Sequence, residues 1–375
     1  MKERYGDSTR TVKAADTEGI PGQPVGHTPV PASAFHLCAD EGTEEHVYGR
    51  YSNPVWTRLQ AALAQLEEAT TALCFGSGMA AVSAALRVLC RPGAVLVVPA
   101  DGYYQVRRYA AESLGPLGVA VREATADEMC DAARDADVVL AETPTNPGLD
   151  VVDLHRLAGI CHSRDARLVV DNTTATPLGQ QPLSLGADLV VASATKALAG
   201  HSDLIAGYVA GSRPELMAAL ERERLLAGPI LGALEGWLLL RSIGSFGLRF
   251  DRQCQNALAL ATALHDHPNV RSVRYPGLPG DPAHEIALTQ MRRFGGLVSI
   301  ELDGPDAVHA LVHHSELLVA ATSFGGLHTS VDRRARWGDA VPGGFARISA
   351  GIEDTDDLVA DVLGALDSAP GTGGL

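Results

Sequence analysis

The chain of 375 residues carries a net charge of −15, from 30 basic against 45 acidic residues, and is 46% hydrophobic. It has no long basic run to engage nucleic acid or an anionic membrane surface, and no uncharged apolar run of about 18 residues to span a bilayer. Its six cysteines, Cys38, Cys74, Cys90, Cys130, Cys161 and Cys254, form neither a CxxC pair nor a metal-ligand spacing, which fits reduced thiols in a cytoplasmic protein without a metal.

The opening Met-Lys-Glu-Arg-Tyr-Gly-Asp lacks the apolar core of a secretion signal. Residues 1–50 are rich in Pro, Gly and charge, with Pro21-Gly22, Pro24 and Pro29-Val30-Pro31, and read as an extended arm with little regular structure. A helix over 54–69 follows, with Val55, Leu59, Leu63 and Leu66 on one face. Strands and helices then alternate. Strands are expected at 71–75, 94–99, 119–122, 137–141, 168–171 and 189–192, and helices at 79–89, 104–114 and 153–163. Apolar strands alternating with helices predict an α/β domain over 51–240, built on a mostly parallel sheet covered on both faces. Residues 214–264 read as mostly helical. Strands at 297–302 and 347–350 and helices near 305–313 and 355–367 then predict a smaller C-terminal α/β domain over 241–375, ending in a disordered Gly-rich tail at 371–375.

Sheets of this kind bind ligands at the carboxyl ends of their strands. After 71–75 come Gly76-Ser77-Gly78-Met79, small residues at a strand-to-helix turn where backbone amides can approach a phosphate. A plain packing turn has the same composition. After 94–99 come Tyr103 and Tyr104, either of which can stack on a flat cofactor. After 137–141 comes Glu142-Thr143-Pro144-Thr145-Asn146-Pro147, a loop held by two prolines with Asn146 free to hydrogen-bond. Asp171 ends the next strand; an acid there needs a partner, and a pyridinium N–H is a suitable one, though a helix cap serves as well. The last strand runs into Ser193-Ala194-Thr195-Lys196, whose hydroxyls suit phosphate oxygens.

Only three of the 30 basic residues are lysines: Lys2, Lys13 and Lys196. A composition that replaces Lys by Arg wherever charge suffices still keeps a lysine where an amine is needed. Arginine stays protonated and forms no imine. The lone internal lysine, Lys196, is therefore the candidate nucleophile.

Seven segments together carry a resemblance: 48–54 (Tyr-Gly-Arg-Tyr-Ser-Asn-Pro), 77–81, 142–147, 170–173, 193–196, 200–203 (Gly-His-Ser-Asp) and 347–354 (Arg-Ile-Ser-Ala-Gly-Ile-Glu-Asp). In them the chain resembles the Cys/Met-metabolism family of pyridoxal phosphate (PLP) enzymes, from about residue 9 to about residue 365. That family includes the cystathionine γ-synthases and γ-lyases, methionine γ-lyases and O-acylhomoserine sulfhydrylases. The resemblance implies the PLP-dependent transferase fold type I, like aspartate aminotransferase, with a seven-stranded-type sheet. It also implies a homotetramer of two tight dimers whose active sites are shared across the dimer, with the arm over 1–50 contacting a neighbouring subunit. Lys196 would hold pyridoxal 5′-phosphate as a Schiff base. By the same carry-over, Gly78 and Met79 offer amides to the phosphate, Ser193 and Thr195 offer hydroxyls, and Tyr48 and Arg50 reach the partner's phosphate. Tyr103 stacks on the ring, Asp171 pairs with the ring nitrogen and Asn146 lies near O3′. Arg347 holds the substrate carboxylate, a bidentate task suited to Arg, and Ser323 lies near the substrate and Lys196.

There are departures from the family's pattern. The segment around Tyr103 reads Ala100-Asp101-Gly102-Tyr103-Tyr104-Gln105-Val106, which leaves Tyr104 as an alternative stacking ring. Gln105 stands where methionine γ-lyases carry Cys, and His328 replaces an acid common in the family. The expected reaction is γ-elimination on L-cystathionine, with Lys196 and Tyr103 catalytic. The alternatives are γ-replacement on an O-acylhomoserine, a specialised biosynthetic relative, or a non-catalytic binding protein of the same fold.

Overall fold

The computed structural model describes residues 5–16, 19–22, 24–38, 42 and 44–368. Seven strands form the first sheet: β1 (Thr71–Phe75), β2 (Val95–Pro99), β3 (Ala120–Ala124), β4 (Val138–Glu142), β5 (Arg167–Asp171), β6 (Leu189–Ala192) and β7 (Gly207–Gly211), in the order β1-β7-β6-β5-β4-β2-β3. All neighbours are parallel except β7, which runs antiparallel to both β1 and β6. The inner strands are almost unbroken Val, Leu and Ala because both faces are covered. The pleat sends alternate residues to opposite cores. Leu73 and Phe75 pack with the helices Gly78–Leu89 and Pro214–Ala227, while Ala72 and Cys74 pack with Pro54–Glu67 and Ala233–His265. Each large apolar side chain buried this way contributes about 1.5–3 kcal/mol.

Strand β7 was not expected from the sequence. Glycine is a poor strand former, yet a Cβ on Gly207 would lie 2.2 Å from the Ser77 carbonyl oxygen. Glycine is needed for the turn before the helix Gly78–Leu89 to sit against the sheet.

The second sheet holds β8 (Ser272–Arg274), β9 (Leu297–Glu301), β10 (Val319–Ala320), β11 (Ser330–Arg333) and β12 (Phe345–Ser349), in the order β10-β11-β12-β9-β8. Its core includes Val298, Ile300, Ile348 and the helices Pro305–His314 and Thr355–Ser368. The helix Ala233–His265 serves both cores: Leu239, Ile243 and Phe246 face the first, and Ala257, Leu260 and Leu264 the second. The division expected at residue 240 lies inside this continuous helix.

Residues 7–14, read from the sequence as part of an extended arm, form a helix. Side chains far away in the chain make it. Asp7 accepts from Arg293 at 2.5 Å, and Arg10 reaches Glu68 at 3.3 Å. Gly247 lets the two helices touch, since a Cβ there would meet the Ser8 Cα at 2.8 Å. The tail at 371–375 and Lys2 lie outside the described residues.

Candidate active site

Strands β4, β5 and β6 end side by side and set Glu142, Asp171 and Ser193 along one rim, with Glu142 paired in register to Asp171. The turn after β1 adds Ser77 and Gly78. Ser77 caps the following helix by accepting from the Ala80 N–H at 3.0 Å, so that helix points its positive end at the same place. The second sheet contributes Arg347 from β12 and Asp332 from β11. These pieces enclose a cavity of about 500 Å³.

Ten of the residues predicted from the sequence line it: Gly78, Met79, Tyr103, Asn146, Asp171, Ser193, Thr195, Lys196, Ser323 and Arg347. Tyr104 lines it too, its ring centroid 5.3 Å from that of Tyr103. Tyr48 and Arg50 do not. Tyr48 is 44% exposed, and Arg50 donates to the Leu225 carbonyl at 2.6 Å, with its guanidinium 4.9 Å from the Tyr51 ring. Gln105 and His328 are absent from the lining. The Thr195 hydroxyl also donates to the Ala206 carbonyl at 3.1 Å.

Lys196 Nζ donates to Ser323 Oγ at 2.8 Å and sits 5.1 Å from the Phe324 ring. Burial and then the neighbouring Arg347 charge pull its pKa down from 10.5 to about 8, so the amine loses its proton far more readily than an exposed lysine. Asp171 is pushed up by burial, and its Oδ1 accepts from the Thr173 N–H at 3.0 Å. Glu142 is buried and pushed up to about 8, by burial first and by Asp171 second. Its Oε2 accepts from the Tyr103 N–H at 2.7 Å and its Oε1 from the Asn146 N–H at 2.8 Å. Arg347 Nη1 donates to Asn146 Oδ1 and Nη2 to the Ser323 carbonyl, the latter at 2.8 Å, while its buried Nε has no hydrogen-bond partner among the described residues.

The side chains fit pyridoxal phosphate with a small amino acid. Gly78 leaves a cradle that a Cβ would fill, 2.7 Å from Ser193 Cβ, and the helix dipole and hydroxyls there suit a phosphate. Asp171 suits a protonated ring nitrogen, Lys196 an aldehyde, and the unpartnered Arg347 Nε a carboxylate.

Twelve further lining residues were given no site role from the sequence, among them Ser77, Glu142, Phe324, Asp332, Arg334 and Trp337. The argument made for Asp171, an acid ending an apolar strand, applies equally to Glu142. The run Asp332-Arg333-Arg334-Ala335-Arg336-Trp337 packs three arginines and a tryptophan into six residues, which is itself a signal. Among the described residues no group of three or more His, Cys, Asp or Glu could hold a metal ion. A second cleft of about 500 Å³ surrounds Asp188. Its carboxylate is already satisfied by Arg213 at 2.7 Å, the Leu168 N–H at 2.9 Å, His162 at 3.3 Å and Arg167 at 3.4 Å.

Residues 12–367 match the Cys/Met metabolism PLP-dependent enzyme family. A Streptomyces coelicolor protein named "Putative cystathionine gamma-lyase" is 47% identical over 96% of this chain and 94% of its own length. The cystathionine gamma-synthase of Mycobacterium bovis is 36% identical over 96% of this chain and 97% of its own. The crystal structure of metB from Corynebacterium glutamicum superposes with a TM-score of 0.92 at 33% identity, covering 98% of this chain and 99% of that one.

Proposed function

The chain belongs to the Cys/Met-metabolism PLP-dependent enzymes, with PLP as cofactor, and from that membership we propose that it is a cystathionine γ-lyase, splitting L-cystathionine into cysteine, 2-oxobutyrate and ammonia. The observation that carries this reading is the shared cavity of Lys196, Asp171 and Arg347. A proton-accepting amine, an acid for a ring nitrogen and a carboxylate anchor face one space.

PLP, when bound, supplies an electron sink that makes protons at the substrate's Cα and Cβ labile. The protein does the rest. Arg347 holds the substrate carboxylate and so fixes which Cα bond faces Lys196. The Lys196 amine takes the Cα proton and moves protons at Cβ, work typically worth about 10²–10⁴-fold. Ser323 Oγ, accepting from Nζ at 2.8 Å, keeps the amine aimed. Tyr103 assists departure of the γ-thiolate.

Elimination is favoured over γ-replacement by the 47% identical relative that carries the lyase name, against 36% for the synthase. Purified enzyme given L-cystathionine should release 2-oxobutyrate. Absence of 2-oxobutyrate, with thioether formed from O-succinylhomoserine and cysteine, would assign the synthase reaction instead.

The positions of Tyr48 and Arg50, outside the cavity of their own chain, support the reading that they complete the phosphate site of a second copy within a homotetramer. Mixing R50A with K196A subunits tests this, because one mixed site would then regain both groups and activity would return. A cytoplasmic location is supported by the six free thiols. No helix among the described residues is long and apolar enough to cross a membrane.

A further inference from the structure

Four charged side chains alternate along one wall of the cavity, with Arg347, Asp332 and Arg334 lining it and Asp339 behind them. Asp339 Oδ2 accepts from Arg334 Nε at 2.8 Å and lies 2.7 Å from its Nη2. Arg334 Nη1 donates to Asp332 Oδ2 at 2.7 Å. That oxygen lies 3.7 Å from Arg347 Nη2, and Asp332 faces Arg347 directly in the register of β11 and β12. All four side chains are at most 8% exposed. Buried charges persist when they are paired, and this array of two acids and two arginines sums to zero. Trp337 Nε1 donates to the other Asp332 oxygen at 2.9 Å, so the carboxylate is held from both sides. The hydrogen bonds of Arg347 itself go to neutral acceptors, Asn146 Oδ1 and the Ser323 carbonyl, which leaves Asp332, ahead of Asp339 and Glu142, as the acid that acts on it most strongly.

We propose that Asp332 is a specificity-determining countercharge. It offsets Arg347 so that a carboxylate alone is held weakly, and only a ligand whose amine would also take the place of Lys196 on the cofactor is retained. The inference rests on the reading that Arg347 anchors the substrate carboxylate. Discrimination of this kind comes from a built-in repulsive element as much as from attraction. An amino-acid substrate carries both groups. A 2-oxo acid product has lost its amine, and the same offset favours its departure.

The alternation predicts opposite signs for neighbouring members. Propionate, a carboxylate with no amine, is titrated into the holoenzyme and its variants by isothermal calorimetry. Asp332→Asn leaves the array one unit positive and should bind propionate about tenfold more tightly, the scale of one unscreened charge a few ångströms further on. Asp339→Asn should shift binding the same way by less. Arg334→Gln leaves the array one unit negative and should bind propionate more weakly. A merely structural role would weaken binding in all three. That result, or unchanged binding in D332N and D339N, overturns the proposal, and if R334Q does not fold, D332N and D339N decide it alone. Arg347→Gln serves as the control. Loss of propionate binding there upholds the anchor, so that failure of D332N to tighten binding would count against the countercharge only. Retained binding in R347Q would remove the anchor and this inference together.

Discussion

Glu142 and Asp171 stand opposite each other on adjacent strands β4 and β5, both lining the cavity, with Glu142 buried. Asp171 suits the cofactor's ring nitrogen. Glu142 grips the backbone of both neighbouring walls, taking one N–H from Tyr103 and one from Asn146.

Glu142→Gln should therefore loosen the slot. A carboxyl group can accept at both oxygens, as a carboxylate or through the hydroxyl lone pairs of the neutral acid, while a glutamine offers one acceptor and one NH₂ that only donates. One of the two N–H groups then faces an NH₂, at a cost of about 1–3 kcal/mol. Expected are roughly tenfold weaker cofactor retention in dialysis and an altered circular dichroism of the cofactor's visible band. An unchanged band and unchanged retention would leave Glu142 no positioning role.

The lowered pKa of Lys196 predicts a pH dependence in the protein without cofactor. Burial and Arg347 bring it from 10.5 to about 8. A depressed lysine penalises folding where the folded state must carry the charge. The penalty is complete below pH about 8 and fades as pH rises to 10.5, where the unfolded lysine also loses its proton. Lys196→Met should thus raise the melting temperature of the apoprotein at pH 7, and the gain should disappear between pH 8 and 10.5. In the wild type, cofactor attachment should speed up as pH rises and level off near 8 to 9, well below the range of an ordinary lysine.

Much of this centre was legible in the sequence because strand ends are legible. Short apolar runs announce β2, β4, β5 and β6, and whatever follows them must sit at the carboxyl edge, so Asn146, Asp171, Ser193 and Lys196 could be placed together. The rest depends on contacts between distant segments. Strand β7 is bracketed by glycines set by close approaches rather than by strand propensity, Gly207 against the turn at Ser77 and Gly211 against the Leu189 and Met217 side chains. The helix Asp7–Ala14 is anchored by Arg293, far along the chain. Asp332 became a site residue only through its register with Arg347, which no local pattern encodes.

Gly78→Ala tests the phosphate cradle. A Cβ at this position would lie 2.7 Å from Ser193 Cβ and 3.1 Å from Ser193 Oγ. Either the turn or Ser193 must move, and both face the expected phosphate. Cofactor affinity should fall at least about tenfold, the equivalent of about 1.4 kcal/mol, while the far-ultraviolet circular dichroism of the apoprotein stays the same. Retained affinity would place the phosphate elsewhere.

Tyr103 and Tyr104 can be told apart by their anchoring. Both rings line the cavity in edge-to-face contact. The Tyr103 backbone is tied to Glu142 at 2.7 Å, so its ring starts from a fixed point beside Asp171. Burial, with Tyr104 adding to it, raises the Tyr103 pKa and keeps its phenol protonated at neutral pH, as a group assisting thiolate departure must be. Tyr103→Phe removes that proton and keeps the ring. It should lower kcat for 2-oxobutyrate release by about 10²-fold, within the usual range for one acid–base group, with cofactor still bound. Tyr104→Phe should stay within about twofold, since it leaves the Tyr103 ring and its phenol in place. The opposite ranking would transfer both the stacking and the proton-donating role to Tyr104.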